Sequence, residues 1–502
     1  MSPPHTSTPH NLSKSKYLLG MQCHKALYLD RFHPNLRDPL DAETQARFQT
    51  GHEVGELARE LFPGGAIASV GSPPRAEPSI QRTQKLIREG APTIYEAAFQ
   101  FNGVLAYVDI LARNGDRWLA CEVKSSTKVK PVDLHDAAVQ CFVLNGAGLD
   151  LADISIVHIN TDYVRQGDLD LRQLFKTVSV ISEVTSLMPE IPSNLESMRA
   201  ALAAGVTPGI DIGPHCLDPY DCDFMGHCWA HVPEMSVFNV ARLPEAKKFE
   251  LYDLGILKIE DIPDDYPLSP TSRFHVDHHK SGEQVINREA IREFLHSLNY
   301  PLYFLDFETY NPAIPPFDGL KPYGHIPFLY SLHRKELPAG DLHHSDFLAE
   351  PGFDPRKPLV ESLLGEVGAD GDIVVYSQSF EATRLKELAL QLPEFAFELG
   401  ALGGRRKDLM QPFMDRDYYS PGMNGSYSIK AVLPALVPDL SYDDLAISDG
   451  NAAMSGYMEL LRGSSQTQVN DIRQALRDYC RTDTLAMVRL VEALSTALMS
   501  PN

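Results

Sequence analysis

Three groups of residues in this chain have types and spacings that could do chemistry. The first is Asp109 followed by Glu122-Val123-Lys124. Two carboxylates at one strand edge can hold Mg²⁺ or Mn²⁺. Such an ion stabilises phosphate charge and helps to generate hydroxide from water, while Lys124 orients or polarises that water. The second group is Cys23 with Cys216-x5-Cys222-x5-Cys228, four thiolates that can complete a cubane cluster. The third is Asp306-x-Glu308 with Tyr479-x3-Asp483 and the intervening Glu381, a second acidic set able to hold two cations for in-line attack on a phosphodiester.

The elements that must position the first set are legible. Val104–Leu111 reads as a strand, Asn114-Gly115 as a hairpin turn and Trp118–Lys124 as the return strand. Side chains alternate along a strand, so Glu122 and Lys124 share a face and Val123 points the other way. Asp109 on the partner strand could meet them. The plainer alternative is a surface hairpin whose Asp, Glu and Lys form an ordinary salt bridge.

These residues resemble the PD-(D/E)xK nuclease superfamily, and within it the RecB-like branch, where the Asp and Glu bind metal and the Lys is catalytic. The resemblance extends to Gln140 in Leu134-His-Asp-Ala-Ala-Val-Gln-Cys-Phe-Val-Leu144, on a helix that in this branch carries Gln and then Tyr four residues on; here Leu144 takes the Tyr place. Upstream, the family pattern expects a metal-ligating His at the position of Gly55 in Gly51-His52-Glu53-Val54-Gly55. His52, Glu53 and Glu96 are the candidate substitutes.

One distant cysteine and three grouped ones resemble the iron-sulfur RecB-like nucleases, including AddB-type helicase-nucleases and the CRISPR-adaptation exonucleases. This implies a 4Fe-4S cluster on Cys23, Cys216, Cys222 and Cys228 that joins the two ends of the nuclease domain. Zinc is the competing occupant, with His215 and His227 as alternative ligands, although structural zinc sites more often use close pairs of ligands. Cys121, Cys141 and Cys480 read as small buried residues.

The third group resembles the RNase H-like DEDD exonucleases. Tyr303-Phe-Leu-Asp306-Phe-Glu308 reads as an apolar strand ending in two acids on one face. In Ser377-Gln-Ser-Phe380-Glu381, Ser and Glu stand where the family has Asn and Asp. Tyr479-Cys-Arg-Thr-Asp483 is the third motif, on a helix that puts both ends on one face. The resemblance implies metal on Asp306, Glu308, Glu381 and Asp483, water positioned by Tyr479, and 3′-to-5′ removal of nucleotides. Asp408 and Lys430 lie between the second and third motifs, and Lys430 could touch a phosphate.

At 502 residues the chain is too long for one core. The organisation expected is α/β throughout: a disordered tail at 1–10, a restriction-endonuclease-like PD-(D/E)xK domain with its iron-sulfur cluster at 11–231, a helical connector at 232–300, and an RNase H-like domain at 301–502. Within the connector, Lys247–Pro263 has a helix-turn-helix rhythm that resembles a helix-hairpin-helix; a packing spacer is the alternative. No signal region and no bilayer-length apolar run is present, so a cytoplasmic protein without a membrane partner is expected. The net charge of -22 argues against a simple DNA-coating protein. The sequence therefore points to a metal-dependent DNA nuclease, with RNA as an alternative substrate. A nucleic-acid-binding or scaffold protein with one or both sites inactive is the reading from another class.

Overall fold

The computed structural model describes residues 11–463 and 465–499; the tail expected at 1–10 lies outside them. The described chain is mixed α/β and divides into two compact units. Residues 1–231 group with 312–323, and residues 232–311 group with 324–502. The stretch 232–300, expected as a connector, thus counts with the second unit. Its helices cover their own small core of Leu251, Ile259, Ile262 and Val276, which accounts for the apolar rhythm of Lys247–Pro263 as packing.

In the first unit the sheet strands are β1 (Leu12–Ser13), β2 (Ala66–Ile67), β3 (Thr93–Phe101), β4 (Val104–Asn114), β5 (Arg117–Lys124), β6 (Leu151–Ile159) and β7 (Phe175–Ser179). The order is β2-β3-β4-β5-β6-β7, with β1 added in parallel to β4. The β4–β5 hairpin turns through Gly115-Asp116, with Asn114 paired to Arg117. Gly115 has φ 65°, as the first position of a two-residue hairpin turn requires. Strands β5 and β6 are parallel. A parallel pair needs a crossover, supplied here by a helix at Pro131–Gly146.

The helices that matter to this unit's sites are α1 (Lys14–Gln22), α2 (His24–Phe32), α3 (Ala42–Ala58) and α4 (Pro131–Gly146). One face of the sheet carries Val108, Leu111, Ala120 and Ile156 against Ala137, Val139 and Cys141 of α4. The other carries Ile110, Cys121 and Val157 against Val54 and Ala58 of α3. Residues Ala313, Ile314 and Tyr323 join this second cluster.

The second unit contains β8 (Val285–Ile286), β9 (Leu302–Tyr310), β10 (Ile326–Lys335), β11 (Leu342–Leu348), β12 (Asp372–Val375), β13 (Arg406–Asp408) and β14 (Tyr418–Tyr419). Five of them form a sheet of order β11-β10-β9-β12-β13. β10 is antiparallel to β9 and β11, whereas β12 is parallel to β9 and β13. Strand β9 is therefore central, and its alternation is split between two environments. Tyr303, Leu305 and Phe307 enter an apolar cluster with Leu359, Leu385 and Leu388, while Asp306 and Glu308 occupy the opposite face. That face is covered by the long helix α8 (Gln466–Met499). The other helices used below are α5 (Pro270–Ser281), α6 (Gln378–Gln391) and α7 (Ile429–Leu436).

Candidate metal centres

Strand β5 ends in Glu122 and Lys124 on one face, and helix α4 lays Asp136 and Gln140, one turn apart, over them. Lys124 Nζ donates to Glu122 Oε1 at 2.8 Å and to Asp136 Oδ2 at 2.6 Å. Lys14, at the start of α1, donates to the same Glu122 Oε1 at 2.8 Å and lies 3.1 Å from Asp136 Oδ1. Gln140 Nε2 donates to Glu122 Oε2 at 2.6 Å. Burial alone would raise the Glu122 carboxyl, but the two ammonium groups overcome it and hold Glu122 well below the usual carboxylate range. Both lysines are held above their usual range: burial works against this, and Glu122 and Asp136 outweigh it.

Asp109 stands beside this network. Its Oδ2 accepts from Val123 N at 2.7 Å, across the hairpin. Burial and then the Glu122 charge push its carboxyl up to about 8. The register places Glu96 of β3 opposite Asp109, and Glu96 has φ 54°. Ile94 and Ala97 face the same core cluster although they are three apart, and so do Val108 and Leu111. The alternation of both strands thus slips at this pair of acids, a local irregularity of the kind that re-aims side chains. Glu96 accepts from Arg59 Nη2 at 2.8 Å.

The structure thus brings Glu122, Lys124 and Gln140 into one hydrogen-bonded network, with Asp109 in electrostatic reach. Of the candidate substitutes on α3, His52 lies 3.4 Å from Glu56, and Glu53 accepts from Gln49 at 3.0 Å. Lys14 and Asp136 escaped the sequence reading. Asp136 could have been found from its four-residue spacing to Gln140. Lys14, 108 residues from Glu122, carries no local signal.

The four cysteines also converge. Cys23 separates α1 from α2, and Cys216, Cys222 and Cys228 lie in short turns whose backbone is tied together, with Cys222 N donating to Cys216 O at 2.8 Å. Gln22 Nε2 fastens this loop to α1 through His215 O and Tyr220 O, at 3.0 and 2.7 Å. All four line a small hollow, partly open to solvent, with Lys25, Phe224 and Trp229. Burial pushes the Cys222 thiol up to about 11, helped by the charges of the other three cysteines, so these sulfurs sense one another. Four sulfurs gathered around one hollow fit a soft metal group. Cys121 and Cys141 are buried in the core, as expected of small apolar residues.

In the second unit Asp306 and Glu308 of β9 meet α8. Asp306, Glu308 and Cys480 place three ligand-capable atoms within 4.8 Å of one another. Cys480 Sγ donates to Asp306 Oδ2 at 3.5 Å, a contact that the reading of Cys480 as a small buried residue did not include. Tyr442 Oη donates to Asp483 Oδ1 at 2.6 Å. Lys430 Nζ lies 5.5 Å from the Tyr479 ring centroid and 5.7 Å from that of Tyr442. Burial, and then Asp483, Glu308 and Glu381, raise Asp306 well above the carboxylate range. Burial and Asp483 do the same to Glu308, against Lys430. Burial holds Asp483 at about 6, against Tyr442 and Lys430.

Glu381 sits in the first turn of α6, 2 % exposed, with Oε2 lacking a hydrogen-bond partner. Burial pushes it up to about 8. The turn that aims it is strained: Ser377 has φ 71°, and Asp408 pins it by accepting from Ser377 N at 3.0 Å and Gln378 N at 3.1 Å. Asp306, Glu308, Glu381 and Asp483 therefore converge with Tyr479. Tyr442 was missed, because the loop that carries it has no periodicity.

The two acidic sets differ in how well they suit a divalent cation. In the first, two ammonium groups already compensate three carboxylates. In the second, four carboxylates are raised chiefly by burial, with Lys430 near Glu308 and Asp483 and with Arg384 and Arg406 near Glu381, whose Oε2 lacks a hydrogen-bond partner. Hard oxygen donors gathered in this way fit Mg²⁺ or Mn²⁺.

Comparison with known proteins adds no activity. Residues 303–428 match a domain of unknown function, DUF2779, a stretch that includes Asp306, Glu308 and Glu381 but not Tyr479 or Asp483. An uncharacterised protein, MG366, of Mycoplasma genitalium is 25% identical over 206 residues, covering 38% of this chain and 31% of its own length. An uncharacterised protein, UU173, of Ureaplasma parvum is 22% identical over 241 residues, 42% of this chain and 33% of its own. The chain spans about a third of the length of these relatives. Among the described residues no helix is long and apolar enough to cross a membrane.

Proposed function

We propose that this chain is a metal-dependent phosphodiesterase acting on nucleic acid, with its principal hydrolytic centre at Asp306, Glu308, Glu381 and Asp483. The observation that carries the reading is the convergence of four largely buried carboxylates, all four raised above their usual range and chiefly by burial, with Lys430 beside Glu308 and Asp483 and with Arg384 and Arg406 beside Glu381. Such a cluster is costly as it stands and becomes favourable when divalent ions enter it.

Bound ions would offset phosphate charge and ease the ionisation of an attacking water. Tyr479 keeps its phenolic proton, since burial and the Asp483 charge raise it far above neutrality, so it serves as a hydrogen-bond donor that orients water. Tyr442 holds Asp483 in one orientation through its 2.6 Å hydrogen bond. Lys430, exposed beside the acids, supplies a positive charge for a non-scissile phosphate. The Ser377 turn fixes the reach of Glu381, whose extra methylene relative to Asp needs an anchored start.

The first-unit site supports the RecB-like nuclease reading through Asp109, Glu122, Lys124 and Gln140. A second reading of that site is favoured by Glu122, both of whose oxygens are occupied: there the network holds the domain together and positions strands without cutting. The four cysteines are proposed to carry a 4Fe-4S cluster with a structural role.

The test is cleavage of end-labelled single-stranded DNA, duplex DNA and RNA by pure protein with Mg²⁺ or Mn²⁺. Loss of cleavage in Asp306→Asn, with retention in Asp109→Asn, is the expected result. Unchanged cleavage in Asp306→Asn sinks the assignment to the second unit.

A further inference from the structure

The second unit holds a cavity that the acidic centre does not use. Its volume is about 190 Å³, and it is partly open to solvent. Arg242, Phe274, His275, Arg416, Tyr419 and Tyr427 supply its chemistry. The Arg416 guanidinium lies 4.4 Å from the Phe274 ring centroid, and that of Arg242 lies 5.8 Å from the Tyr427 ring and is hydrogen-bonded to its hydroxyl. Neither arginine has a carboxylate within 4.0 Å among the described residues, in a chain with 67 acidic residues against 45 Lys and Arg. An acid-rich surface that leaves two guanidinium groups without a carboxylate partner in one hollow, one against a phenyl ring and one hydrogen-bonded to a tyrosine hydroxyl, has kept a place for an external anion.

Two further observations point inward. His275 is 1 % exposed and lines the cavity. Its Nδ1 accepts from Ala241 N at 3.0 Å, which leaves the proton on Nε2, and Nε2 has no partner. A buried donor without an acceptor is a cost that a ligand would remove. Second, Arg242 and Arg416 sit at φ 56° and 64°, in the left-handed region. Arg416 follows the short helix Gln411–Met414, where such a conformation belongs to Gly. Arginine stands at two positions where glycine would fold more easily.

We propose that this cavity binds a phosphate-bearing nucleotide of a single-stranded nucleic acid, with Arg242 and Arg416 on the phosphate or stacked on the base and His275 Nε2 donating to it. Arginine planes and aromatic rings together are how single strands are held without sequence preference. The inference deepens the phosphodiesterase reading and rests on it for the substrate class. Tyr427 in the cavity wall is three residues from Lys430, so at most about 11 Å of chain separates them. Tyr376 Oη also donates to Tyr427 O at 2.7 Å, directly before the Ser377 turn that aims Glu381. A strand seated in the cavity would thus be tethered close to the acidic centre.

The experiment is fluorescence anisotropy with the full chain in EDTA, using a labelled single-stranded DNA oligonucleotide and its RNA counterpart, with dTMP, thymidine and inorganic phosphate as competitors. Arg242→Gly and Arg416→Gly remove the charge at positions that tolerate glycine, and each is expected to weaken binding about tenfold or more. Thr271→Trp fills the cavity from its rim, leaves both arginines in place, and is expected to do the same. Competition by dTMP but not by thymidine or phosphate alone shows that base and phosphate are both read. Competition by dTMP no stronger than by phosphate overturns the nucleotide assignment. Wild-type protein that ignores single strands, or Thr271→Trp that binds like wild type, overturns the proposal. If Asp306→Asn binds normally and also still cleaves, the hydrolytic assignment fails and the cavity stands.

Discussion

Tyr442 donates its hydroxyl to Asp483 Oδ1 at 2.6 Å, joining a loop to the long helix α8 at the point where Asp483 faces Asp306 and Glu308. The bond favours the ionised carboxylate, and Asp483 lies at about 6 even with it. Tyr442→Phe should therefore move Asp483 upward. The acid limb of the rate profile should rise by about one pH unit, the equivalent of ~1.4 kcal/mol, with the alkaline plateau retained. A profile that merely drops at every pH would assign Tyr442 a packing role.

The raised carboxylates make metal-free stability depend on pH in a defined direction. Glu381 moves from 4.5 to about 8 on folding and Asp483 from 3.8 to about 6. Below the unfolded values both states hold the proton and nothing is lost. As pH rises above about 4 the unfolded chain ionises while the folded one does not, so stability falls until the folded values are passed. In EDTA the melting temperature should fall between pH 4.5 and 8, and Mg²⁺ or Mn²⁺ should restore it more strongly at pH 8 than at pH 5. A flat metal-free melting profile across this window contradicts the cluster.

Glu381→Gln replaces this carboxyl with a neutral group of nearly the same shape, which has no proton to take up on folding. It should raise metal-free stability at pH 7 by on the order of 2 kcal/mol and weaken the Mg²⁺-dependent increment. Differential scanning calorimetry with and without Mg²⁺ measures both. A destabilised Gln variant would mean that Glu381 is charged and satisfied in the folded protein.

In the first unit, Lys14→Ala leaves Glu122 and Asp136 with one ammonium group instead of two. Breaking a buried pair by removing one partner costs about 3–5 kcal/mol; Lys14 is one-fifth exposed, so a loss near 3 kcal/mol is expected. Divalent cations should recover part of it, because the uncompensated acids then resemble a metal site. No recovery with Mg²⁺ or Mn²⁺ would leave the network as structural only.

Protein purified anaerobically should be brown and carry about four irons per chain. Cys216→Ser should lose them, and Cys141→Ser, altered in the core of α4, should keep them. Zinc in place of iron in the wild-type protein would replace the cluster assignment.

The sequence by itself determined the local parts. Alternation gave β4, β5 and β9 and put Glu122 with Lys124 and Asp306 with Glu308, because a two-residue period is a property of the strand alone. Four-residue spacing likewise put Tyr479 and Asp483 on one helical face. Tertiary structure alone decided the partners. Lys14 reaches Glu122 across 108 residues, Cys480 donates to Asp306 across 174, and Tyr442 meets Asp483 only where a loop closes on a helix. It also decided the charge balance: the same kinds of acid are compensated by two lysines in one unit and held above their usual range, chiefly by burial, in the other. Coulomb interactions and desolvation depend on distance through space and on burial, and neither is written in the order of residues along the chain.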